Sequence, residues 1–385
     1  MSEIAARQRL YRKSRGSVFH GFDPILTGAV ALLLVIGTLL VYAATRDWYS
    51  RNGMDPQYYL KRHMINIAIG VFLAYGTTVI DYRLLRAYTP FLWGAGVIGL
   101  GIVLIGFGST VNGAKAWIAL PGGFQIQPAE LAKISIIVGM SMILSERSHD
   151  KDEAQSRDVL QALVIAAIPV VLILLQPDMG TVFIISASVV TIIAVSGASS
   201  KWVVGLLIVA VLGAFTATKT GVISDYQVKR LQTFVDPTAD SHGAGYQLRQ
   251  ARITVGSGGL IGTGLFNGPQ TNGRFVPEQQ TDFIFTVAGE ELGFLGSALI
   301  VLLYLLILMR AFSIARRTND PFGRLVTTGV IAWFAFQIFE NIGMTLGLMP
   351  MTGVPLPFIS YGGSSMFATL IGFGLLQNVH ARTRG

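Results

Sequence analysis

The chain has no cysteine and little charge among its 385 residues. Without cysteine it can form no disulfide, no thiolate nucleophile and no Cys-based metal site. Charged residues make up 13% of the chain, against roughly 25% in an ordinary soluble domain. Serine chemistry is also poorly represented: Ser360, Ser364 and Ser365 stand in "ISYGGSS" and not in a G-x-S-x-G elbow, and the Ser-x-x-Lys and Lys-Thr-Gly set of a transpeptidase is missing. The glycine-rich run "VGSGGLIGTG" follows no βαβ pattern, so neither a dinucleotide fold nor a P-loop is supported. The net charge is +8, but the basic residues are dispersed over loops and no recognition motif accompanies them, so nucleic acid is excluded as a partner.

Long apolar runs are abundant, in a chain that is 52% hydrophobic. Runs long enough to span a bilayer lie near 23–44, 64–80, 86–107, 129–145, 159–175, 180–196, 201–218, 283–309, 325–349 and 364–380. The pattern predicts an all-α polytopic membrane protein of about ten transmembrane helices. The fifth to seventh runs are short and close together, which leaves nine or eleven open. Residues 1–22 form a basic tail with Arg7, Arg9, Arg12, Lys13 and Arg15, followed by no small-residue cleavage site. Basic loop residues favour the cytoplasmic side, and with ten spans this places both termini there. The rest, 23–385, reads as a single transmembrane domain. Its one large extramembrane segment, 219–281 between the seventh and eighth helices, is expected outside as an ordered cap, because it mixes aromatic, basic and apolar residues throughout.

Several carboxylates and cations fall where a membrane protein spends charge sparingly. Asp282 ends the cap and begins the eighth apolar run. Such an Asp commonly caps the helix N-terminus. A carboxylate backed by apolar groups should also have a raised pKa, which suits general-base work near neutral pH. Glu290 and Glu291 lie inside the same run and call for buried partners, such as Arg or Lys from neighbouring helices. In "QPAELAK", Glu130 and Lys133 share a helix face; they either neutralise each other for burial or present Lys133 to an anion. Lys115 and Trp117 stand in the polar stretch "VNGAKAWI", where Trp117 reads as an interface anchor or a platform for a sugar ring beside a phosphate-holding Lys115. Asp178 occupies the "QPDMGT" turn, which is ordinary turn chemistry. Arg249 and Arg252 add positive charge to the cap.

Taken in order, "VNGAKAWI", "QPAELAK", "QPDMGT", "FVDP" with "GYQLRQARITVGSGGLIGTG", "VPEQQTDFIFTVAGEELG" and "NIGMTLGLMPMTGVPLPFISYGGSS" resemble the SEDS family of bacterial membrane proteins, more closely its RodA members than its FtsW members. The resemblance covers nearly everything after the first twenty residues. It implies a peptidoglycan glycosyltransferase of the bacterial cytoplasmic membrane that polymerises lipid II for cell elongation, with its active site on the extracytoplasmic side. It implies a class B penicillin-binding protein as partner, together with other elongation-complex membrane proteins. The family's essential Asp falls on Asp282. Its functional Glu and Lys fall on Glu130 and Lys133, its loop Trp on Trp117 and the Asp of its turn on Asp178. Many relatives carry Arg just before that Trp; Ala116 stands here, so Lys115 or another base must supply that charge. The chemistry asks for a base on the acceptor hydroxyl and for positive charge at the departing pyrophosphate. Lys133, Lys115, Arg249, Arg252 or a divalent cation (Mg²⁺ or Mn²⁺) would meet the second need, although the sequence displays no dedicated ligand cage. Two other classes fit the helices: a lipid II flippase, which needs a polar path through the whole bilayer, and a non-catalytic scaffold for the penicillin-binding protein.

Overall fold

The computed structural model describes residues 21–111, 114–121, 124–146, 155–220, 230, 232–234 and 243–383. The basic N-terminal tail, the centre of the mixed-charge loop at 147–154 and most of "FVDP" lie outside the described residues. All ten apolar runs are helical. They form α1 (Pro24–Arg51), α2 (Tyr58–Val79), α3 (Tyr82–Ile102), α4 (Pro128–Glu146), α5 (Ser156–Leu174), α6 (Met179–Val195) and α7 (Ser200–Thr220). After α8 (Ala244–Ser257) and α9 (Pro269–Gly273) in the cap come α10 (Ile284–Glu291), α11 (Gly293–Arg317), α12 (Pro321–Leu346) and α13 (Gly363–Thr383). Among the described residues six helices, α1, α3, α4, α5, α11 and α12, are long and apolar enough to cross a membrane.

The helix boundaries follow local chemistry. Asp23 caps α1 by accepting the N–H groups of Ile25 and Leu26, with Pro24 in the first turn. Asp320 and Pro321 repeat the device at α12, and Gly347, with φ of +73°, ends that helix. The eighth apolar run is two helices. It breaks at Gly293, where φ is +66° and the Cα lies against the backbone of Leu260 to Gly262. A side chain at Gly258, Gly262 or Gly293 would collide with facing main chain. The glycines of "VGSGGLIGTG" thus let the cap seat itself on the α10–α11 break.

The stretch between α3 and α4 departs from an all-helical reading. Strands β1 (Ser109–Val111), β2 (Ala114–Leu120) and β3 (Phe124–Ile126) form a small antiparallel sheet in the order β1-β2-β3. Lys115 pairs with Thr110 and Trp117 with Ser109. Two short hairpins suffice for this, too short for alternation to register against the apolar runs on either side.

Of the membrane-length helices, α4 and α12 are the most enclosed by protein. Glu130 and Lys133 on α4, and Gln337, Glu340 and Asn341 on α12, are accordingly buried in protein.

Candidate active site

Asp282 sits in the tight turn before α10. The N–H groups of Thr281, Asp282 and Phe283 all donate to the Glu278 carbonyl, at 3.1, 3.1 and 3.3 Å, and Glu278 holds a positive φ of 52°. Phe283, not Asp282, occupies the N-cap position of α10, without a side-chain cap bond. The capping role expected of Asp282 is therefore not taken up. Thr281 Oγ1 instead donates back to the Glu278 carbonyl at 3.1 Å.

Three cross-links fix this turn. Asn341 Nδ2 on α12 donates to the Asp282 carbonyl at 2.7 Å and to the Val354 carbonyl at 2.6 Å. Ser360 Oγ donates to the Thr281 carbonyl at 2.6 Å while accepting from Leu356 N at 2.7 Å. Tyr361 N donates to the Gln280 carbonyl at 2.9 Å. The acid's main chain is held from α12 and from the 347–362 connection, while the residue keeps part of its surface open. Burial pushes its carboxyl up to about 7. The negative charges of Glu278 and Asp178 add to this, and the Arg230 guanidinium opposes it.

Gly353 makes room for that carboxyl. It adopts φ of +76°, and a Cβ there would lie 3.1 Å from Asp282 Oδ2 and 3.8 Å from Arg230 Nη1. Arg230 Nη1 also donates to the Met351 carbonyl at 3.2 Å. Arg230 lines a crevice with Phe234, Leu248, Met349 and Met351. Sequence reading passed over Arg230, because one Arg in a long basic loop carries no spacing signal.

Lys133 and Glu130 form a buried ion pair at 2.9 Å. Lys133 Nζ also donates to Gln337 Oε1 at 3.3 Å and lies 4.8 Å from the Trp333 ring centre. Trp333, Gln337 and Asn341 are spaced four apart, so they form one stripe along α12. Gln337 receives Lys133, and Asn341 holds Asp282. The two contacts are about 6 Å apart along the helix axis, at 1.5 Å per residue. The signal was present in "WFAFQIFEN", an amide pair at helical spacing inside an apolar run, but its meaning depends on which helices pack there. Glu340, also buried, has electrostatic neighbours in Asp178 and Lys133.

Asp178 caps α6. Its carboxylate accepts Thr181 N at 3.1 Å, Thr181 Oγ1 at 2.8 Å and Gln127 Nε2 at 2.8 Å. Bare Gly180 lets Thr352 and Val354 pack at that helix start, which brings Asp178 toward Asp282. Lys115 and Trp117 belong to the sheet. It is tied to α13 where Ser364 Oγ donates to the Gln125 carbonyl at 3.2 Å and accepts Gln127 N at 2.8 Å. Arg252 Nε and Nη2 donate to the Leu346 and Gly347 carbonyls at 3.1 and 3.2 Å, closing the C-terminal end of α12. Arg249 is on the exposed side of α8. Glu290 and Glu291 take backbone hydrogen bonds. Glu290 accepts Gln270 N, Thr271 N and Thr271 Oγ1 at 2.7, 2.8 and 2.6 Å, and Glu291 accepts Phe266 N at 3.0 Å. Among the described residues no three His, Asp or Glu side chains come together as a metal site.

The cell cycle protein model named for FtsW, RodA and SpoVE matches residues 24–385. The chain belongs to this FtsW/RodA/SpoVE family. Family relatives include the peptidoglycan glycosyltransferase MrdB of Escherichia coli K12, 34% identical over 92% of this chain and 93% of that one. Stage V sporulation protein E of Bacillus subtilis is 36% identical over 94% and 98%. Among solved structures, a chain of a peptidoglycan synthase complex superposes with a TM-score of 0.77 at 30% identity, covering 94% of this chain and 98% of that one. Thermus thermophilus RodA superposes with a TM-score of 0.68 at 29% identity, covering 93% and 96%. This family member is a multi-pass membrane protein and a glycosyltransferase.

Proposed function

We propose that the chain polymerises lipid II into glycan strands for cell elongation, on the extracytoplasmic face of the bacterial cytoplasmic membrane. Asp282 is the general base. It removes the proton from the acceptor GlcNAc 4-hydroxyl as that oxygen attacks C1 of the donor MurNAc. The O4–C1 bond forms, the C1–phosphate bond breaks, configuration inverts from α to β, and undecaprenyl pyrophosphate departs with the electron pair. A pyrophosphate leaves as a stable anion, so the second carboxylic acid that glycosidases use is not required.

The observation that carries this reading is the state of Asp282. Its main chain is clamped, the residue keeps part of its surface open, and its pKa of about 7 matches the operating pH of a base. Lys133 and Glu130 act one step away, through Gln337 and the α12 stripe, in setting the donor end of the site. Lys115, Trp117, Asp178, Arg249 and Arg252 are assigned to substrate. Asp178 shapes the field at the base, and Arg252 fixes the α12 end over it. A class B penicillin-binding protein is the partner, a reading supported by the likeness to a chain of a peptidoglycan synthase complex.

The test uses purified protein, its partner and labelled lipid II, with glycan products resolved on a gel. The Asp282→Ala protein should fold, bind the partner and make no polymer. Substantial polymer from it would reject the base assignment and favour the scaffold reading.

A further inference from the structure

The cap carries an apolar tip that the catalytic site does not use. Leu260 is 70% exposed and Ile261 78% exposed, at the end of the loop that follows α8. Such exposure in consecutive large aliphatic residues is costly in water, at about 25 cal/mol per Å² of apolar surface. The loop is not loosely attached. Phe294 N donates to the Gly259 carbonyl at 2.9 Å, and Leu295 N to the Leu260 carbonyl at 3.0 Å. Gly258, Gly262 and Gly293 bring the two main chains into contact with no room for a Cβ. The tip is thus part of the start of α11.

What lies beside it decides its surroundings. Phe294 and Leu295 are themselves 64% and 60% exposed. Below them the outward face of α11 continues with Leu299, Leu302 and Leu305, all exposed on a membrane-length helix. Leu260 and Ile261 extend that lipid-facing stripe. On the other side, α8 is amphipathic. It buries Leu248, Ala251 and Thr254 and exposes Arg249 and Ile253. Arg249 and Ile253 are four apart on one face; Arg252, also exposed, turns to the Leu346 and Gly347 carbonyls, so along that face charge gives way to aliphatic surface in the direction of the tip. That order, cation first and aliphatics deeper, is how an interfacial helix meets a bilayer.

We infer that Leu260 and Ile261 are immersed in the acyl region of the lipid bilayer, with Arg249 at the headgroup level, so that the cap is a lipid-anchored element and not one lying wholly in water. The anchor has a consequence for the site. The same cap packs Leu248, Ala251 and Val276 against Met351 and Phe283, the residue that follows Asp282, so the bilayer helps set the height of the cap over the base.

The chain lacks cysteine, so single-cysteine spin labelling needs no background removal. Leu260→Cys and Ile261→Cys would be labelled in the full-length protein in nanodiscs of phosphatidylethanolamine and phosphatidylglycerol. Phe294→Cys is the lipid reference, and Gln57→Cys, on the exposed α1–α2 connection, is the aqueous reference. Labels at 260 and 261 should match 294 in relaxing with dissolved oxygen and resisting a water-soluble nickel chelate. Nickel sensitivity equal to that at 57 would overturn the inference. So would a label immobile and shielded from both reagents, which would mean that protein covers the tip. Neither result touches the polymerisation assay on Asp282→Ala, so the two readings fail separately.

Discussion

A carboxylate with a pKa near 7 costs a folded protein stability in return for reactivity, and Asp282 offers a clean place to see both. The unfolded chain ionises this group near pH 4, while the folded chain holds its proton up to about 7. The folded state binds more protons over that interval, so the group's contribution to stability falls as pH rises from 4 to 7. Activity runs the other way, since only the ionised form accepts a proton. The polymerisation rate should therefore climb as pH passes through about 7, and initial rates of lipid II consumption across pH 5.5–8.5 would trace it. A profile already flat at pH 5.5 would mean that Asp282 is an ordinary surface acid. Asp282→Asn should lose about 10²–10⁴-fold in rate yet melt at a higher temperature than the parent at pH 8, because the desolvated charge is gone. Gly353→Ala carries a different expectation. It places a methyl 3.1 Å from Oδ2 on a backbone with φ of +76°, so it should lower the rate while leaving the Asp282 chemistry intact. Of these features, Asp282 and the direction of its pKa shift were legible in the sequence, because an Asp at the mouth of a long apolar run stands where that run enters an apolar surrounding. Gly353 and Arg230 were not, because each matters only through what the fold sets beside it.

At the scale of elements, α12 collects what the sequence scatters. Lys133 lies on α4 and Asp282 in the turn before α10, yet both report to one face of α12 through Gln337 and Asn341. The buried Lys133–Glu130 pair is sensitive to losing one member. Removing a single partner of a buried pair costs about 3–5 kcal/mol, whereas replacing both with apolar groups is often neutral. Lys133→Met alone should thus lower the melting temperature, and adding Glu130→Met should restore much of it. If the pair serves only burial, the double variant regains polymerisation as well. If Lys133 serves the donor, stability returns and activity does not, which a melting curve and a glycan gel on the same sample would separate. The cap depends on α10 in a similar way. Glu290 answers three donors from residues 270 and 271, and an unsatisfied buried donor costs about 1–3 kcal/mol. Glu290→Ala should free α9 from α10, read as faster amide exchange over 266–275 with slower change in α12. The sequence announced that these two glutamates needed partners. It pointed to Arg or Lys: Arg46 of α1 is an electrostatic neighbour of Glu291, while the hydrogen bonds come from main-chain N–H groups and a threonine hydroxyl. Backbone donors at a glycine-rich turn leave no mark in a charge pattern.

Over the whole molecule, chemistry and closure occupy opposite ends of the same helices. At one end of α1, Gln279 Nε2 donates to the Ala44 carbonyl at 2.7 Å and joins α1 to the catalytic turn. At the other, Asp23 meets Arg310 of α11 at 2.5 Å, and Gln377 of α13 accepts the Asp23 N–H at 2.9 Å. The first helix and the last are thereby locked together about 30 Å from the turn, the length of twenty-one residues at 1.5 Å each. The ten helical runs were plain from hydropathy, but nothing in the order of the chain says that α1 closes on α13. That fact exists only in the packing. Burial alone would raise the Asp23 pKa. The bonds from Arg310 and the Leu26 N–H outweigh it and hold the carboxyl below its usual range. A depressed pKa gives stability that is complete above the unfolded value near 4 and is lost as pH falls through the folded one. Asp23→Ala should accordingly lower the melting temperature at pH 7 and reduce the difference from parent in strong acid. Because 30 Å of helix separates this lock from Asp282, the activity midpoint near pH 7 should stay where it is, measured per folded molecule. A midpoint that moved with Asp23→Ala would mean that the far end of the bundle governs the solvation of the base, and that the ends are not independent.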